Sequence, residues 1–202
     1  MAVSRRPRGS GPAPGFTMIE LMVVVVVLSV LLTVAVPSFE ASMNANRLAG
    51  ASNELMASLQ TARMEAVKRN ARVGLCLSKD SNSTVPVCST DDIDGWIVFT
   101  DVNKNGAYDA GETLLRTSTI PSPKVVVQTS ATPDGVVVFR SDGFAYAADG
   151  SLLNGAFDAC IPTKRPPENV RHVVIAAGSR FSIASANGAA KCDAPDDKPD
   201  TP

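Results

Sequence analysis

One stretch decides most of what this chain can become. Residues 16–36 are a run of 21 residues interrupted only by Thr17, Glu20, Ser29 and Thr33. Wound as a helix, a run of that length spans about 30 Å, the thickness of a bilayer's hydrocarbon core, so it is expected to cross a membrane. A cleaved secretory signal is the rival reading, but its apolar region usually runs only ~7–15 residues. A cut after Ala35 would also leave Pro37 two residues beyond the break. Glu20 sets a further condition. A carboxylate near a bilayer centre costs roughly 2–3 kcal/mol, less near the edge, and calls for a partner. A cut between Gly15 and Phe16 would create an α-amino group four residues before Glu20. Copies packed with a small axial offset would then pair ammonium with carboxylate in a dry setting. The other reading lets Glu20 reach water at the interface.

The flanks agree with a membrane entry. Residues 1–15 hold Arg5, Arg6 and Arg8 among prolines and glycines, with little to bury, so they are expected to be disordered and held in the cytoplasm. The formal net charge is −1; without those 15 residues it is 16 basic against 20 acidic groups, or −4. That balance gives no general attraction for nucleic acid. Cys76, Cys88, Cys160 and Cys192 lie far apart, with neither a C-x-x-C pair nor zinc-type spacing. An even count beyond a membrane anchor points to two disulfides in an oxidising compartment. Of three connectivities, Cys76–Cys88 with Cys160–Cys192 closes the shortest loops. Four reduced, buried thiols are the alternative.

Pro37 removes one backbone donor and is expected to kink the helix rather than end it, because the pattern continues beyond it. Leu48, Leu55, Leu59, Ala62 and Ala66 form one helical stripe, with Asn46, Asn53, Glu54, Gln60 and Lys68 mostly off it. Residues 37–71 therefore read as an amphipathic helix packed on a sheet. Strands are expected at 72–78, 95–100, 113–117, 124–129, 136–140, 170–176 and 180–184, with turns at Asp142-Gly143 and Asp149-Gly150. The run Trp96, Ile97, Val98, Phe99 is the most apolar and is expected to lie centrally. The fold class is α+β: a long N-terminal spine helix on an antiparallel sheet head, 72–192, followed by a disordered acidic tail, 193–202.

The stretch Gly15-Phe-Thr-Met-Ile-Glu20-Leu21, behind a basic leader and before an apolar helix, resembles the class III signal of type IV pilins and pseudopilins. The resemblance implies cleavage after Gly15 by a prepilin peptidase and methylation of Phe16. It also gives Glu20 a role in recruitment into the filament, and places Pro37 at the family's kink. The runs from Asn46 to Asn70 and from Gly95 to Asp101 are similar to the signature stretches of the FimT/GspH group. This implies a minor pilin near a filament tip, in a type IV pilus or, alternatively, in a type II secretion pseudopilus. The Cys76/Cys88 pair ahead of Trp96 leans towards the FimT side. The implied partners are the prepilin peptidase, other pilins or pseudopilins and inner-membrane lipid. The implied location is the bacterial inner membrane, with the head in the periplasm and then in the filament.

Three sharper readings attach to particular residues. Asp101, Asn103, Asn105, Gly106, Asp109 and Glu112 satisfy the spacing of an EF-hand calcium loop. Their flanks are strand-like rather than helical, and Asn and Gly also suit an ordinary turn. DNA capture is associated with FimT-like pilins through clustered arginines near the C-terminus. Here the matching stretch, Gly178 to Ser182, holds only Arg180, with Arg165, Arg171 and Lys164 as possible neighbours. One or two cations bind phosphate weakly. A membrane-tethered enzyme is the rival class. It would have to use His172, the single histidine, or a carboxylate pair, and the chain carries no G-x-S-x-G, H-E-x-x-H or phosphate-loop motif. His172 reads as a surface or satisfied strand residue. No cofactor is expected beyond the possible calcium.

Overall fold

The computed structural model describes residues 15–147, 150–176 and 178–198. The leader 1–14, Asp149 of the second turn signal and the tail end 199–202 lie outside them. The chain divides into two units between Phe39 and Glu40.

Helix α1 runs Met18–Arg69, 52 residues, and continues through Pro37. Thr17 starts it: its hydroxyl oxygen accepts the Glu20 N–H at 3.3 Å and its carbonyl accepts the Leu21 N–H at 3.1 Å. Among the described residues of the first unit the large apolar side chains are exposed, and the most apolar 18-residue window has a mean hydropathy of 2.9 with none of it buried. Ser29 and Thr33 return their hydroxyl protons to the carbonyls of Val26 and Val30 at 2.7 Å. Both hydroxyls are thus satisfied within the helix, which an apolar solvent requires. The far end closes with Asn70 in the left-handed region (φ 50°), while Asn70 N–H reaches Val67 O and Ala71 N–H reaches Ala66 O. That is a Schellman cap, with Lys68 and Arg69 suitably placed against the negative end of the helix dipole.

The second unit is built on the upper part of α1. Its buried stripe is Leu48, Ala51, Leu55, Leu59, Ala62 and Ala66, each at most 1% exposed. Among the described residues nine strands follow: β1 Val73–Ser78, β2 Gly95–Thr100, β3 Leu114–Thr119, β4 Val126–Thr129, β5 Val136–Phe139, β6 Ala145–Tyr146, β7 Gly155–Cys160, β8 Val170–Ala176 and β9 Arg180–Ala186. They form two antiparallel sheets, in the orders β3-β2-β1-β5-β6 and β4-β7-β8-β9. Leu55, Leu59, Ala62 and Ala66 share one core with Leu75, Trp96 and Phe139 of the first sheet and Phe157 and Val173 of the second. A lower core joins Leu48 and Ala51 to Val125, Ala159 and Ile161. On the other face of the first sheet Cys76, Ile97 and Phe99 pack with Tyr108 and Leu114. Gly74 is required there, because a Cβ would lie 2.6 Å from Cζ of the Phe99 ring.

Four expectations need correction. The head has two sheets, not one. β7, with the sequence Gly-Ala-Phe-Asp-Ala-Cys, was not foreseen because Gly, Ala and Asp are poor strand formers; burial of all six residues imposes the extended form. The apolar strand β2 is second in its sheet, and β1 holds the centre between β2 and β5. The acidic tail is docked as far as Asp197, whose carboxylate accepts the Thr132 N–H at 2.8 Å and the Thr132 hydroxyl proton.

Leu59→Ala is expected to destabilise the head by about 2–5 kcal/mol, because it empties a fully buried site facing both sheets. Gly50→Ala, where a Cβ meets nothing within 4 Å, is expected to raise stability by about 1 kcal/mol. Denaturant unfolding of the detergent-solubilised chain measures both.

Candidate functional site: the N-terminal motif and the helix–head junction

Gly15, Phe16 and Thr17 precede the helix, so the Gly15–Phe16 peptide lies ahead of the first helical hydrogen bond, Leu21 to Thr17. Phe16 is 77% exposed and Met18 79%. The Gly15–Phe16 peptide bond is thus unwound and lies just ahead of the apolar helix. Thr17 and Glu20 stand at capping-box spacing, and the Glu20 amide uses the Thr17 hydroxyl. Glu20 is also the acidic residue of the first turn, where the helix dipole favours negative charge. The Thr-x-x-Glu spacing is the local sequence signal of this cap.

Three polar attachments fix the head to α1. At the lower level, buried Asn44 donates to the Arg165 carbonyl at 2.9 Å and accepts from Arg47 at 2.9 Å. In the middle, the Trp96 indole N–H donates to Ser58 Oγ at 2.9 Å, while Arg116 and Ser118 donate to Glu54 Oε1 at 2.6 and 2.8 Å. Higher up, Arg63 donates to the Ser179 carbonyl at 3.1 Å, and the Ala145 N–H donates to Ser179 Oγ at 2.6 Å. Glu54, expected off the packing stripe, is in fact the acceptor that ties β3 to the helix. Arg116 first, then Ser118, hold its carboxyl below the usual glutamate range, against the opposing effect of burial.

The calcium-type residues do share one loop, but they are engaged with one another. Asp101 is ion-paired to Arg72 at 2.9 Å and accepts the Gly106 N–H. Asn103 and Asn105 both donate to Asp109 Oδ2, at 2.9 and 2.6 Å. Glu112 accepts the backbone N–H groups of Val102 and Asp109. Among the described residues no group of three or more His, Cys, Asp or Glu side chains is arranged to hold a metal.

Two of the three arginines considered for DNA, Arg171 and Arg180, do not converge. Arg171 faces Ser185 and Arg180 faces Ala176 in the β8–β9 register. Five residues of strand thus separate them, about 17 Å, and the odd spacing turns them to opposite faces. Arg165 lies 3.8 Å from Glu40, and Arg171 donates to the carbonyls of Glu168 and Val170. His172 is satisfied: its Nδ1 lies 2.5 Å from Oδ1 of buried Asp158, its cross-strand neighbour. Burial holds the Asp158 carboxyl above the usual aspartate range, against the smaller lowering effect of its bond with His172. Asp158 was missed because it sits in the unforeseen β7. The disulfides join Cys76 to Cys88 and Cys160 to Cys192.

An apolar N-terminal helix whose later half is the buried spine of an antiparallel α+β head is the pilin-type architecture. Residues 51–179 match the family of the type II transport protein GspH, and residues 14–36 match the prokaryotic N-terminal methylation motif. The chain belongs to the GspH family. It is also similar to the pilin-like protein PilA1 of Thermus thermophilus, 37% identical over 100 residues, or 48% of this chain and 54% of that protein. The matched stretch is thus about half the length of that relative. Two crystal forms of the type IV minor pilin FimU from Pseudomonas aeruginosa align with 68% and 67% of this chain and 88% and 91% of theirs. The identities are 19% and 18%, and the TM-score is 0.44 in each case.

Because Glu54 is held deprotonated more easily folded than unfolded, its contribution is present above the ordinary glutamate range and fades as pH falls through its lowered value. Glu54→Gln is expected to flatten the acid limb of a stability-against-pH curve. Its side chain is 39% exposed, so the effect at pH 7 is at most about 1 kcal/mol.

Proposed function

We propose that this chain is a minor pilin subunit. A prepilin peptidase cuts it between Gly15 and Phe16 and methylates the new Phe16 amine, and the product is built into a type IV pilus near its tip. The observation that carries the reading is the extent of the methylation-motif match. It spans 14–36, ending with the apolar run, and contains an unwound Gly15–Phe16 peptide and the lone carboxylate Glu20. The anchor lies in the inner membrane with the head in the periplasm, where the two disulfides can form. Its partners are the peptidase and other pilins. The role is structural, and neither calcium nor DNA is needed for it.

The GspH description supports a second reading, a minor pseudopilin of a type II secretion system. Both readings share the processing steps and differ in the filament joined. Gly15→Val is expected to leave the leader attached, seen as a slower-migrating band in cells carrying the peptidase. Glu20→Ala is expected to be cleaved yet lost from sheared filaments. Normal maturation of the Gly15 variant would refute both readings. Co-purification with pilus rather than secretion components separates them.

A further inference from the structure

The second sheet ends at β4, and the outer side of that strand faces the turn formed by residues 90–93 across an open cleft of about 460 Å³. The direction of the β4 backbone follows from its neighbour. Ser130, just beyond β4, donates its N–H to the carbonyl of Ala156 in β7 at 2.9 Å. Alternation along an antiparallel pair then turns the polar groups of Val126 and Gln128 towards β7 and those of Val127 and Thr129 away from it. Among the described residues none of these outward N–H and C=O groups has a hydrogen-bond partner. Val127 is only 5% exposed, so its free groups lie at the cleft floor. β4 is short, with Pro123 and Lys124 just before it, which limits the edge, but its own residues, Val-Val-Gln-Thr, include neither lysine nor proline and pair with β7 in unbroken register.

The opposite wall supplies charge. Asp91 and Asp92 are exposed and line the cleft, and neither carboxylate has a hydrogen bond or ion pair. No basic side chain is among the described lining residues. We propose that this cleft takes an extended, lysine- or arginine-bearing segment of a partner protein, which adds to the outer edge of β4 as a further strand. Main-chain bonds to Val127 and Thr129 would supply affinity, and Asp91 and Asp92 would select the basic sequence.

The test uses the full chain in detergent micelles, with amide exchange followed by NMR. The probes are two capped hexapeptides, one alternating lysine with valine and the other glutamate with valine. Without peptide the Val127 and Thr129 amides are expected to exchange readily. The lysine peptide is expected to slow both and to bind at least about tenfold more tightly than the glutamate peptide. Asp91→Lys combined with Asp92→Asn is expected to erase that preference without moving the melting temperature, since neither side chain is bonded. Asn is used at 92 because φ there is 50°. Failure of either peptide to slow both amides would overturn the proposal, as would equal binding of the two peptides or an unchanged preference in the variant. Protection that grows with protein concentration alone would also overturn it, by assigning the edge to a second copy. Should the double variant fail to fold, the exchange and peptide preference of the unmodified chain decide the matter.

Discussion

The head depends on one helix face serving two sheets at once. Leu55, Leu59, Ala62 and Ala66 meet residues of both sheets in a single core, so neither sheet has a complete interior without α1. Alanine at two of these four places lets strand backbones come close, while the leucines fill the space between the sheets. Packing of this kind resists separation but holds rotation and sliding less firmly. The polar attachments at Asn44, at Glu54 with Ser58 and at Arg63 supply directional bonds at three heights along the helix. Together they fix the register between spine and head.

The same helix begins under the opposite demand. Around residues 18–36 no protein surrounds the apolar side chains, and lipid or neighbouring subunits must do so in the proposed setting. The two hydroxyls of this stretch are returned to the helix itself, leaving Glu20 as the polar group with a full charge. Its amide is capped by Thr17, but its carboxylate is exposed in the single chain. In the proposed filament that carboxylate would meet the ammonium of a processed neighbour, a pairing the isolated subunit lacks.

The disulfides fasten segments that have little core of their own. Cys76–Cys88 ties the loop after β1 back to that strand, and Asp80 helps by accepting the Val87 N–H at 2.7 Å. Cys160–Cys192 draws the C-terminal segment back to β7, where buried Asn169 bonds the Lys191 carbonyl and Gly188 amide. The docking of Asp197 extends this attachment to the turn between the two sheets. Thr132 first of all keeps the Asp197 carboxyl low, so this last contact weakens in acid.

Much of this was legible in the amino-acid sequence by itself. Hydrophobic run length and a helical stripe are local properties, so the apolar segment, the spine from Leu48 to Ala66 and most strands follow from periodicity alone. The N-terminal methylation motif that residues 14–36 match is equally local, because such a motif is read along the chain. What only the tertiary structure decided are matters of partnership. β7 is a strand because two neighbours bury it, against its own propensity. Glu54 is an attachment because β3 brings Arg116 and Ser118 to it, and Asp158 and His172 meet only across paired strands. Tertiary pairing likewise separates the arginines at 171 and 180, sets Arg72 against Asp101 and docks a tail whose composition suggests disorder. Periodicity reports how one segment meets its solvent; which polar groups face one another depends on register between distant segments.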